Sequence, residues 1–182
     1  MSLGFRVFNL VGFQAVWFAS AFGAGSGRPW LGPAVLALYA AGHFAMTPSR
    51  GRDLRMLALA IPLGVLVDSA FVMAGGLVYA SPGPLPELAP AWIVGMWVGF
   101  ALTLRHSMGF LADRPAWAAA FGLLGGPLAY AGAARAFDAV AVTASPVAVF
   151  AALGVAWGLA MPLMYAAESA WTRRTKGAGA MA

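Results

Sequence analysis

The residues of this chain that could do chemistry are few, and most lie inside apolar runs. Asp68 sits about 13 residues into one such run, which is roughly 20 Å along a helix rising 1.5 Å per residue. An ionisable group at that depth in hydrocarbon is costly and turns toward the bundle interior. Its chemistry would be that of a proton or cation site or of a substrate anchor. The competing reading is a structural aspartate bonded to a serine, a tyrosine or a freed carbonyl. Ser69 is its neighbour, and Tyr130 lies at a similar depth in a later run, so a Tyr130–Asp68 hydrogen bond is geometrically allowed. A second polar level is expected nearer one end, where His43, His106 and Asn9 fall at similar depth and Thr103, His106 and Ser107 share a helix face. Gln14 shares a face with Trp17 in the first run. Two histidines with no nearby carboxylate, and without the H-x-x-x-H or H-x-x-H-H spacings of membrane metalloenzymes, make a poor metal site, so no metal is expected. Interhelical hydrogen bonds, worth about 1 kcal/mol or less per pair, are the plainer reading of this level.

Elements able to hold these groups must come from an unusually apolar chain. Of its 182 residues 62% are hydrophobic and 9% charged, whereas a soluble domain is about a quarter charged. About 20 apolar residues cross a bilayer, and six such runs are present, at 5–24, 30–47, 55–79, 91–112, 116–137 and 145–167. The fold expected is an all-α membrane protein, one domain over residues 1–182, built as a bundle of six transmembrane helices. The runs are continuous rather than alternating, which argues against an outer-membrane barrel. Asn9 and Gln14 interrupt the first run, favouring a retained helix over a cleaved signal. The linkers carry the breakers: Gly25 to Pro29, Pro48 to Asp53, four prolines between Ser81 and Pro90, and Asp113-Arg114-Pro115.

Basic residues give the orientation. With six spans, Arg6, Arg50, Arg52, Arg55, Arg105, Arg114, Arg173, Arg174 and Lys176 fall on one side and only Arg28 and Arg135 on the other. The bias places both termini in the cytoplasm. It also explains the net charge of +5 without nucleic acid. Trp30, Trp92, Trp117 and Trp171 fall at span ends, as an aromatic belt requires. The chain has no cysteine, which excludes disulfides and thiolate chemistry. No nucleotide loop, nucleophile elbow or paired-carboxylate motif is present, and no cofactor is expected.

Gly95/Gly99, Gly122/Gly126 and Gly154/Gly158 have the small-xxx-small spacing that lets membrane helices approach closely, within one chain or between copies in a homo-oligomer. Pro62, Pro127 and Pro162 each remove a backbone donor and free the carbonyls of Ala58, Leu123 and Gly158. Pro62 and Asp68 recur at identical spacing as Pro162 and Glu168, a match that chance between two alanine-rich sequences explains.

Taken together, Asn9, Gln14 and Trp17, Asp68-Ser69, Trp92, Trp97, Phe100, Thr103-Leu104, His106-Ser107, Gly125-Gly126-Pro127, Tyr130, Gly132, Trp157 and Pro162 form a pattern that resembles the DUF2878 family of bacterial inner-membrane proteins. Arg105 departs from that pattern, which usually has a small polar residue there. The resemblance implies the bacterial inner (cytoplasmic) membrane. Its members often accompany lipid-modifying enzymes, which implies a lipid-related role, but it supplies no reaction.

The function expected is binding or movement of a lipid or other apolar small molecule. The alternatives are a membrane-embedded lipid-modifying enzyme using Asp68 or His106, and a non-catalytic assembly partner. Membrane lipids are the expected partners. Arg105 is expected either to snorkel to the cytoplasmic headgroups or to hold a lipid phosphate.

Overall fold

Six helices dominate the computed structural model, which describes the backbone of residues 2–179 and side chains through residue 175. The side chain of Lys176, counted above for orientation, lies outside the described residues. The helices are α1 (Leu3–Gly25), α2 (Leu31–Met46), α3 (Arg50–Met73), α4 (Ala91–Leu104), α5 (Pro115–Phe137) and α6 (Pro146–Gly179). The side chain of Ser2 caps α1 by accepting from the Phe5 amide at 3.3 Å. Pro115 opens α5 at its first position, where the missing N–H costs nothing.

Two expected helices end early. The span expected over 55–79 starts at Arg50 and stops at Met73. Gly75, at φ +68°, turns the chain out of the helix, and Leu77–Tyr79 continues as strand β1. Asp138, at φ 50°, ends α5 in the same left-handed way, and Val140–Val142 follows as β2. The two strands pair antiparallel, with Val78 opposite Ala141. The span expected over 91–112 stops at Leu104, and Gly109–Leu111 forms only a 3-10 turn. Here the Thr103 carbonyl accepts from both the His106 and Met108 amides. The Ser107 amide goes instead to Asn9 Oδ1 at 3.2 Å. A side chain from α1 thus takes a donor that a continuous helix would keep.

The chain runs up and down. At one end the strand pair, the end of α1 and the end of α5 meet: Ser81 Oγ donates to the Ala24 carbonyl at 3.0 Å, and Gly25 lies against the Phe137 carbonyl. At the other end the start of α3 and the ends of α2, α4 and α6 gather around Asp53 and Arg105.

α4 is the axis of the bundle. Trp92, Ile93, Gly95, Trp97 and every residue from Gly99 to Leu104 are buried, with α1, α2 and α3 packed around it. Gly64 of α3 lies against the Trp97 indole so closely that a Cβ would overlap the ring. The spaced glycines face helices of the same chain. Gly99 meets Phe13 and Val16, and Gly122 and Gly126 lie under Trp157. The Leu123 carbonyl, freed by Pro127, sits 2.9 Å from where a Cβ on Gly154 would be, so α5 and α6 approach backbone to backbone.

By length and composition, α1, α3 and α6 are able to cross a membrane. α2 and α4 are apolar but have 16 and 14 residues, short of the roughly 20 that a crossing needs.

Candidate functional site

The first polar level is built around a residue that the sequence reading placed in a turn. Asp53 belongs to the first turn of α3 and is 2% exposed. Thr47 ends α2 and begins the short connection to α3, and its hydroxyl donates to Asp53 Oδ2 at 2.6 Å. His43 lies one turn before Thr47 on α2, and its Nε2 is 3.1 Å from the same oxygen. His106, in the turn after α4, places Nε2 2.7 Å from Oδ1. The two imidazole rings are 4.9 Å apart, and Phe5 packs against both. The premise that no carboxylate lies near the histidines is therefore corrected.

Asn9 backs this group. Its Oδ1 accepts from the Ser107 hydroxyl at 2.6 Å and the Ser107 amide at 3.2 Å. Its Nδ2 donates to the Leu102 carbonyl at 2.9 Å and the Tyr39 hydroxyl at 2.8 Å, and faces His43 Nδ1 at 3.3 Å. Backbone partners on both sides set the orientation of the amide. His43 Nδ1 faces this donor group, a placement that suits the tautomer with Nε2 protonated and donating to Asp53.

His43, Asp53 and His106 together are a donor set of metal-binding type, with ligand atoms within 4.8 Å of one another. A histidine that binds metal through Nε2 turns a protonated Nδ1 toward an acceptor. Asn9 presents a donor there. As placed, the two histidines are joined to Asp53 by hydrogen-bond distances of 3.1 and 2.7 Å.

The second level lies on the same helix, near the strand pair. Asp68 is fully buried. Its Oδ1 accepts from the Tyr79 hydroxyl at 2.5 Å and from the Tyr130 hydroxyl, and Oδ2 accepts from Trp97 Nε1 at 2.6 Å. No cation pairs with Asp68 among the described residues. Tyr130 and Trp97 also line a cavity of about 380 Å³, within the range of small-molecule sites. Its wall is otherwise apolar and aromatic, including Phe13, Trp17, Phe100, Ala129 and Trp157, with Trp157 stacked on Trp97 at 4.3 Å. Gln14 and Phe18 of α1 and Phe121 and Leu128 of α5 are exposed and line it too. The cavity therefore opens sideways, between α1 and α5.

Of the expected site residues, Asn9, His43, His106 and Ser107 come together at the first level and Asp68 with Tyr130 at the second. Gln14 lines the cavity. Ser69 and Thr103 do local work: Ser69 Oγ accepts from the Ala89 amide at 3.0 Å, and Thr103 donates to the Phe100 carbonyl at 2.6 Å. Arg105 pairs within the protein. It is 14% exposed, and its Nη2 meets Glu168 Oε2 at 2.5 Å, because α6 extends well beyond the span expected for it and carries a buried acid to this level. Asp53, Thr47, Tyr39, Tyr79 and Glu168 were not anticipated. The i, i+4 spacing of His43 and Thr47, directly ahead of Asp53, is the one signal in the sequence that points to the triad.

No curated protein and no solved structure matches the chain. Its family is nevertheless clear: the model of DUF2878, described as a protein of unknown function, matches residues 6–163, and the chain belongs to that family.

Proposed function

We propose that this protein binds an apolar small molecule or lipid chain in the cavity between α1 and α5, with the Asp68 cluster as the polar end of the site. The single observation that carries this reading is that Tyr130 and Trp97 each bond Asp68 and line the cavity. Ligand sites combine an apolar wall with a few fixed polar groups that orient the guest. The sideways opening lets a guest enter from the hydrocarbon phase. Trp17, Trp97 and Trp157 surround the cavity, so acyl chains carrying bromine atoms should quench tryptophan fluorescence saturably. Ala129→Phe, which fills the cavity, should abolish the saturable part. Quenching that is linear in lipid and equal in both proteins would defeat the reading.

The same reading sets the protein in the bacterial inner membrane with both termini in the cytoplasm and all six helices crossing, the short α2 and α4 completing their passage through the non-helical residues at their ends. The up-and-down order and the gathering of arginines at one end support it. Because the chain has no cysteine, single cysteines report sidedness cleanly. Ser26→Cys and Ser145→Cys should react with an impermeant maleimide in spheroplasts, and Asp113→Cys only after lysis. The reverse pattern would invert the topology. Of the two acid–base candidates for an enzyme, only Asp68 adjoins the cavity, so catalysis, if the guest is turned over, would centre there.

A further inference from the structure

Near the Asp53 level a third acid is held in a different way. Glu168 of α6 is 1% exposed. Its Oε2 meets Arg105 Nη2 at 2.5 Å, and its Oε1 accepts from Thr172 Oγ1 at 2.6 Å. Arg55 Nη2 stands 3.5 Å and Arg52 Nε 4.0 Å from that second oxygen. One carboxylate faces three guanidinium groups, which leaves two positive charges in excess.

The three arginines are unequally satisfied. Arg105 also donates to the Tyr165 carbonyl at 3.1 Å and to Ser169 Oγ at 2.5 Å. Arg55 makes one side-chain hydrogen bond, to Thr172 Oγ1 at 2.9 Å, and the Nε atoms of both Arg55 and Arg105 are buried without a partner among the described residues. Among the described residues Arg52 is held only by the 4.0 Å approach to Glu168, and its side chain is 43% exposed, so the cluster opens to the outside at Arg52. Glu168 and Arg105 form a fixed floor. Above it, two loosely held guanidinium groups present planar donor forks, the geometry that suits the oxygens of a phosphate.

We propose that Arg52 and Arg55 form an anion site that takes a phosphate group, with Glu168 holding the two guanidinium groups in register. This proposal does not depend on the cavity. Basic pockets between membrane helices on the cytoplasmic side commonly take lipid headgroups; a soluble phosphate offers the same oxygens.

The test uses the full chain in nanodiscs of phosphatidylcholine, with three additions read by thermal unfolding and by native mass spectrometry: phosphatidic acid, phosphatidylglycerol and inorganic phosphate. Arg52→Gln is exposed and should fold normally. It should weaken retention of the added anion by about tenfold, the loss expected for one charge-assisted contact. Arg174→Gln, exposed on α6 outside the cluster, should leave retention unchanged. Stabilisation by the anionic lipids alone identifies a headgroup as the source. Stabilisation by inorganic phosphate identifies a soluble one. No anion effect in the wild type, or an effect that Arg52→Gln leaves intact or that Arg174→Gln removes equally, overturns the proposal.

Discussion

Asp53 and Asp68 stand on the same helix, about 22 Å apart along its axis, and each collects three hydrogen bonds from side chains. The difference lies in what stands behind the donors. Behind the histidines of Asp53 come Asn9 and Phe5, and behind Asn9 come backbone groups of α4 and the turn after it. Each of the Asn9 and Asp53 contacts ends on another protein group. Behind Tyr130 and Trp97 of Asp68 comes open space lined by aromatic rings. The same chemistry, a buried carboxylate with three donors, therefore joins helices at one level and adjoins a cavity at the other. The number of hydrogen bonds does not separate the two roles. What separates them is whether the network closes on protein or on a cavity.

The comparison can be broken most directly at Asp53. Asp53→Ala leaves two imidazoles and a hydroxyl buried without their acceptor and should cost about 3–5 kcal/mol, read by chemical denaturation in detergent. A loss under about 1 kcal/mol would remove the pin. Asn9→Ala strips partners from the Leu102 carbonyl, the Ser107 amide and His43 Nδ1 and should cost about 2–4 kcal/mol. Hydrogen exchange should rise locally at Ser107 and in the turn after α4.

At the other level the effects on stability should be smaller and those on binding larger. Asp68→Asn keeps the volume but turns an amide group toward Trp97 Nε1 or a tyrosine hydroxyl. It should cost about 1–3 kcal/mol and lower affinity for the guest by more than tenfold. Ala129→Phe fills space without touching either network and should change stability by about 1 kcal/mol or less, while binding is lost. If Ala129→Phe destabilised as much as Asp53→Ala, the cavity would be packed protein rather than a site.

How much of this was legible in the sequence depended on whether the cause was local. The six helical runs and the match of Asp68 with Tyr130 follow from spacing alone, and the structure has them. The end of α4 does not, because apolar residues resume at Met108 to Leu111 after Arg105-His106-Ser107, and the Ser107 amide is drawn off by Asn9, 98 residues away. Asp53 was hidden by its neighbours. Between Arg50, Arg52 and Arg55 it reads as part of a solvated turn, yet the short connection from α2 folds it back under His43. Glu168 was hidden by the apolar content of α6, which ends as a predicted span near residue 167, although the helix continues to Gly179. The pairing of Arg105 with Glu168 was hidden for the same reason. Tyr79 looked like the end of a helix. The positive φ of Gly75 frees it into a strand, and only there does its hydroxyl reach Asp68.

The proposed function requires the space beside Asp68 to hold an apolar guest. Its most direct test is mass spectrometry of the organic extract from protein purified in mild detergent, with wild type and Ala129→Phe compared at equal amounts. The account expects one apolar species close to one per chain in the wild type and its absence from the variant. Equal recovery from both proteins, or no species above the bulk lipid background in either, would contradict it.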